Sequence, residues 1–342
     1  MGLENIIKRS PESPEIIIDP ESLVEVIDSH GLIEDWKNGK LDDLTVILGG
    51  GAQQGILQGT LAYVATKLHL PPPKNTIGSS VGGYVATFWA TEQQEALDAF
   101  ELVAKNGMIG LHHIFSPESG TRRGIVDTHG IAHKLFKEER PIDLAALRNS
   151  PMRVMIALTD EEATDDKQKF IHLNQHPLPY DVLEASTAMR YISTSGKVAV
   201  DGSHFTDGAE SIPIPLRYAI DELGSKNVLI VLADVVHQGI FRKIMTHIKA
   251  GVAYNFPDGP TKNYFLHSQR HSSVVNRVLE EAKLQEKPEV RLAMIGFKTR
   301  PKGFGAACTH IPTLQAIKEA GIQFFTRLFA TSPQEQQLQA AS

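Results

Sequence analysis

Three observations predict an α/β fold with three layers, α/β/α, around a mostly parallel central sheet. Leu44-Thr45-Val46-Ile47-Leu48 is a continuous apolar run rich in β-branched residues, the kind buried in parallel sheets, and it ends directly in Gly49-Gly50-Gly51. A second unit of the same design follows: a short strand through Thr76-Ile77, a tight turn over 78–82, and a helix beginning near Gly83. Further strand-like runs then alternate with stretches of helical spacing, as expected of a sheet covered by helices.

Taken in order, residues 1–43 mix Pro, Glu and Ser with a helical-looking piece over 21–36 and read as an extension or cap before the core. After the glycines, Ile56, Leu57, Leu61, Val64 and Leu68 recur at helical spacing until Pro71-Pro72-Pro73 stops the chain. The helix of the second unit carries Tyr84, Val85, Phe88 and Trp89. Strands are expected over 152–158, 197–200, 227–233 and 290–297, and helices around 122–138, 180–190, 236–250 and 270–285. The simplest division is one catalytic domain over 44–328, with 329–342 as a flexible tail rich in Gln and Ala.

Composition narrows the function classes. A chain of 342 residues that is 42% hydrophobic can bury one large core. The net charge of -6 and the absence of a Lys/Arg block argue against nucleic acid as a partner. One cysteine, Cys308, forms no intrachain disulfide and fits a reducing compartment. The first residues lack the apolar region of a signal peptide, and no apolar run approaches the ~18 residues of a membrane span. The expectation is a cytoplasmic protein whose membrane contact, if any, is peripheral.

Two segments carry chemistry on their own pattern. Gly78-Ser79-Ser80-Val81-Gly82 has the G-x-S-x-G form of a nucleophile elbow, whose spacing selects Ser80 rather than Ser79 as the exposed hydroxyl. The following helix would place its N-terminal amides beside that serine. Gly49-Gly50-Gly51-Ala52 is expected to point backbone N–H groups at a ligand oxygen. It fails the dinucleotide fingerprint, because the sixth position is Gln54, and it lacks the Gly-Lys-Ser/Thr of a P-loop. A bare tight turn rarely needs three successive glycines, each costly in chain entropy. A third segment, Phe205-Thr206-Asp207-Gly208-Ala209, sets an aspartate on a glycine turn, which in isolation reads as an Asx turn.

In this order on a βα framework, Gly-Gly-Gly-Ala, Gly-x-Ser-x-Gly and Asp-Gly-Ala resemble the patatin-like phospholipase family. Glu184-Ala185-Ser186-Thr187-Ala188 looks like that family's small-residue helix ahead of the aspartate strand. Pro215-Leu216-Arg217-Tyr218-Ala219-Ile220 and the strand from Asn227 extend the match over most of 44–235, and weakly to a helix over 311–329. The resemblance implies a phospholipase A-type hydrolase of lipid acyl esters that needs no cofactor. It would use a Ser80/Asp207 dyad without histidine, an oxyanion hole at Gly49, Gly50, Gly51 and Ala52, and motif support from Gly78, Gly82, Gly208 and Ala209. An aspartate of ordinary pKa, about 3.9, is a poor base, so Asp207 is expected in an apolar cleft that raises it. Relatives usually continue the glycine loop with a basic residue and a glycine, where this chain has Gln53 and Gln54, and Pro213 replaces an Asn behind the aspartate.

Rival readings remain beside this one. A Ser/Asp/His triad would draw on His237, His247 or His310. His129 with His133, and His267 with His271, are spaced to share a helix side, but neither pair encloses the Glu of a zinc-protease helix, and no metal is expected. Arg122-Arg123 reads as an exposed basic pair at a helix start, ahead of the rival reading as a contact for a lipid phosphate. At the level of function, the alternatives are a regulatory lipid-binding protein that has lost turnover and a soluble short-chain carboxylesterase.

Overall fold

The computed structural model describes residues 16–93, 97–110, 112–115, 124–164, 167–190, 192–212, 214–235, 289–305 and 307–330. Within them, nine strands form one sheet in the order β1-β9-β8-β2-β3-β4-β7-β6, with β5 also pairing β4. The strands are β1 (Val24–Ile27), β2 (Leu44–Leu48), β3 (Asn75–Ser79), β4 (Arg153–Asp160), β5 (Gln168–His172), β6 (Val198–Val200), β7 (Ser203–Asp207), β8 (Asn227–Val235) and β9 (Arg291–Phe297). β9, β8, β2, β3 and β4 run parallel, and β1, β5, β7 and β6 add antiparallel borders. The expected mostly parallel α/β architecture is therefore present.

Parallel neighbours need crossovers, which the helices provide. They are α1 (Pro20–Leu23), α2 (Leu32–Lys37), α3 (Ile56–Lys67), α4 (Val81–Ala90), α5 (Ala99–Lys105), α6 (His112–Phe115), α7 (Leu144–Asn149), α8 (Pro179–Thr187) and α9 (Ile311–Phe329), with π-helical turns over Gly130–Glu139 and Tyr218–Glu222. The period of two in the strands splits the core. Val46, Leu48, Leu229 and Val231 face one apolar cluster with α3, α4, α8 and α9, while Ile47, Val228, Ile230 and Leu232 face a second with Ile214, Leu216 and Ala219.

Residues 20–37, expected as an extension with one helical piece, instead enter the core. Val24-Glu25-Val26-Ile27 pairs with β9, because its β-branched residues complete an otherwise open sheet edge. Trp36 is 1% exposed, donates its Nε1–H to the Pro71 carbonyl at 2.8 Å, and meets Phe329 edge-on with ring centroids 5.3 Å apart. Its pairing with Phe329 ties the start of the described chain to α9. β5 had no counterpart in the sequence reading. The helix expected over 122–138 occurs as the π-helix Gly130–Glu139, and Arg122-Arg123 lies outside the described residues, as do the expected helices at 236–250 and 270–285 and the tail from 331.

Register brings the three motif segments to one level. Leu48 pairs with Gly78, Ser79 with Ala157, and Leu158 with Asp207. The glycine loop, the serine turn and the aspartate turn thus emerge side by side at the carboxyl ends of β2, β3 and β7, the end of an open α/β sheet where ligands bind.

Candidate active site

Ser80 is the one residue between the end of β3 and the start of α4, and it holds φ 55° and ψ −129°. A side chain in this region costs on the order of 1–3 kcal/mol, so its surroundings must hold it there. Its amide donates to Ser186 Oγ at 2.9 Å, and its carbonyl accepts from the Gly83 amide at 2.9 Å. The flanking glycines follow from close packing of backbone. A Cβ at 82 would lie 2.1 Å from the Leu48 carbonyl oxygen, and one at 78 would lie 2.4 Å from the Gly82 oxygen. Ser79, the rejected alternative, is fully buried in β3 with its hydroxyl unpartnered among the described residues.

Asp207 ends β7 and caps the short 3-10 turn Gly208–Glu210, its Oδ1 accepting from the Ala209 amide at 2.8 Å. The turn lies so close to β4 that a Cβ at 208 would come 2.2 Å from the Ala157 oxygen. The carboxyl is 1% exposed. Burial pushes its pKa up to about 7; the nearby Ser80 hydroxyl and the Ala209 amide oppose the rise, and the Glu210 charge adds to it. The Ser80 hydroxyl stands near enough to favour the ionised carboxylate, yet outside the geometry of a formed hydrogen bond, so Oδ2 has no partner among the described residues. An orphaned acceptor in such a dry place is costly, and it is well suited to taking up a proton.

The glycine loop closes the third side. A Cβ on Gly50 would sit 3.1 Å from Ser80 Cβ and 3.3 Å from Ala209 Cβ, so this one glycine touches both the serine and the aspartate turn. Gly51 packs as tightly, 2.5 Å from Ala233 Cβ by the same measure, and Ala52 starts a 3-10 turn at φ 47°. Gln58 braces the loop from below, its Nε2 donating to the Gly49 and Val231 carbonyls at 2.8 and 2.9 Å. The Gly49 amide is already committed to the Val231 carbonyl at 3.2 Å, because that residue still follows the β2–β8 ladder. Of the loop expected to hold an oxyanion, Gly49 therefore has no amide to give. The amides of Gly50 and Gly51 make no bond among the described residues.

The two glutamines have definite roles here. Gln53 is buried and donates its Nε2 to the Phe100 carbonyl at 3.0 Å. The Gln54 amide lies against Arg300, and assigning its oxygen to that side lets it accept from Arg300 Nη2 and Nε at 2.7 and 2.8 Å. Arg300 in turn pairs with Asp234 near the carboxyl end of β8. A guanidinium from the segment after β9 thus lies on the loop that lacks a basic residue of its own. No local sequence signal marked Arg300, because only the β8–β9 pairing carries it there.

Among the described residues no histidine contacts Asp207. His310 instead bonds Thr313 Oγ1 at 2.8 Å at the start of α9. His237, His247, His267, His271 and Pro213 lie outside the described residues.

No protein-family model matches the chain, and no curated protein matches it. Among solved structures, VipD from Legionella pneumophila is similar at a TM-score of 0.45 and 11% identity, over 94% of this chain and 72% of that one. Likeness of this degree carries no functional information.

Proposed function

We propose that the chain is a serine hydrolase of lipid acyl esters, patatin-like and of phospholipase A type, acting through Ser80 and Asp207. The observation that carries this reading is the junction at Gly50, which lies 3.1 Å from Ser80 Cβ and 3.3 Å from Ala209 Cβ by a built Cβ, beside a buried carboxylate whose Oδ2 is unpartnered among the described residues.

In this reading Asp207 Oδ2 takes the Ser80 hydroxyl proton as Oγ attacks the ester carbonyl. The Gly50 and Gly51 amides, with the N-terminus of α4, receive the oxyanion. The alcohol leaves with the proton held by Asp207, giving an acyl-serine, and a water deprotonated by Asp207 then releases the fatty acid. A carboxyl pushed up to about 7 is matched to this work near neutral pH, where an ordinary aspartate is too weak a base. No helix among the described residues is long and apolar enough to cross a membrane.

The test is fatty-acid release from mixed phospholipid vesicles and from short- and long-chain nitrophenyl esters, comparing wild type with Ser80→Ala and Asp207→Asn. Long-chain activity that falls by about 10³-fold or more in both variants supports the reading. A preference for short soluble esters would make it a carboxylesterase, and inert wild type that still binds vesicles would make it a lipid-binding protein.

A further inference from the structure

Away from the serine, the π-helix Gly130–Glu139 and α8 bring three side chains of a different chemistry together. His129 stands at the N-terminus of the π-helix and His133 lies one turn on, their rings stacked with centroids 4.5 Å apart. Opposite them, Glu184 of α8 is 5% exposed, with Oε2 3.2 Å from His129 Nδ1 and 3.0 Å from His133 Nε2. His129 and His133 have the spacing of a shared helix side, but the sequence predicts no metal there because the pair encloses no glutamate. The missing carboxylate comes from another helix.

We propose that His129, His133 and Glu184 bind a divalent transition metal of the Zn2+ type. The three ligand atoms all lie within 4.8 Å of one another. Zinc bound tetrahedrally at about 2.0–2.1 Å from each N or O ligand holds those atoms about 3.3 Å apart, by the geometry of a tetrahedron. The two carboxylate–imidazole distances of 3.0 and 3.2 Å are close to that separation, so side-chain rotation would bring the three ligand atoms onto one metal. Two imidazoles and one carboxylate favour zinc and its neighbours over magnesium or calcium, which take oxygen ligands.

The carboxylate is also held from behind, as metal-binding carboxylates are. Ser195 donates its hydroxyl to Glu184 Oε1 and itself accepts from Thr128 Oγ1 at 2.8 Å. The His129 side chain is 52% exposed and leaves a path from solvent. A water, or Asp181 with Oδ1 3.7 Å from His133 Nε2, would complete four-coordination. The proposal does not depend on the hydrolase reading.

The experiment uses tag-free, full-length protein stripped by a chelator and titrated with Zn2+ against a chromophoric competitor, with Co2+ as a spectroscopic probe. One Zn2+ per chain is expected, with the intense visible absorption of tetrahedral Co2+. His133→Ala should weaken binding by about 100-fold or more, and Ser195→Ala by about 10- to 100-fold. His129→Ala, at a half-exposed position, should weaken binding as His133→Ala does while lowering the metal-free melting temperature by only a small amount, since Glu184 keeps His133 and Ser195 as partners. The same Zn2+ affinity in wild type and in the His129→Ala/His133→Ala double variant would overturn the proposal, leaving a hydrogen-bonded His–Glu cluster only. So would an octahedral Co2+ spectrum.

Discussion

Asp207→Asn should cost catalysis and return stability, in a pH window set by burial. In the unfolded chain the carboxyl ionises near 3.8, while in the native protein it is pushed up to about 7. Between those values the native state binds the proton and the unfolded state does not, so rising pH favours unfolding. Each pH unit is worth about 1.4 kcal/mol, and a span of about three units gives a loss on the order of 4 kcal/mol, complete once pH passes about 7. Asparagine cannot ionise, and its Oδ1 can still accept from the Ala209 amide that Asp207 Oδ1 now accepts. Equilibrium urea unfolding of both proteins from pH 4 to pH 9 should therefore show Asp207→Asn gaining on wild type up to about pH 7, then holding a constant advantage. A stability difference that does not change with pH would refute a buried, proton-holding Asp207.

Gly50→Ala places a methyl group 3.1 Å from Ser80 Cβ and 3.3 Å from Ala209 Cβ, which is tight for the fold and obstructive where the carbonyl must sit. Ester hydrolysis should drop by about 10²-fold or more with stability reduced by only about 1–3 kcal/mol, as read from steady-state kinetics and urea unfolding. Ser186→Ala removes the acceptor of the Ser80 amide, so the strained turn loses an anchor. It should destabilise by about 1–3 kcal/mol and lower kcat more than it raises KM. Trp36→Ala should cost about 3–5 kcal/mol in thermal or urea unfolding, because that ring is packed between Trp89 and Phe329 rather than lying in a dispensable extension.

The elements that could be read from the sequence are those whose reasons are local. β2 announces itself by Leu44 to Leu48, and the turn at 78–82 by glycines that the backbone packing of Leu48 and Gly82 demands. Ser80 was distinguishable from Ser79 by spacing alone. That Asp207 would be buried followed only from the base it was expected to be, and the structure gives the cause, a turn pressed against Ala157. What escaped depends on contacts between distant segments. β1 is four residues long and becomes a strand only against β9. Arg300 reaches Gln54 only through the β8–β9 pairing, and Gly49 loses its amide only because β8 runs beside β2. Glu184 sat in a segment noted for its small residues, with nothing in its neighbours to say that it faces His129 and His133.

The most direct measurement is covalent labelling of the protein by a long-chain alkyl fluorophosphonate, followed by peptide mass spectrometry across pH. A Ser80/Asp207 dyad predicts one adduct, on Ser80 and not on Ser79, formed with loss of fluoride at a rate that rises through about pH 7 as Asp207 ionises. Asp207→Asn should abolish that rise. Labelling at another serine, or none at Ser80 under conditions where the wild type releases fatty acid, would contradict it.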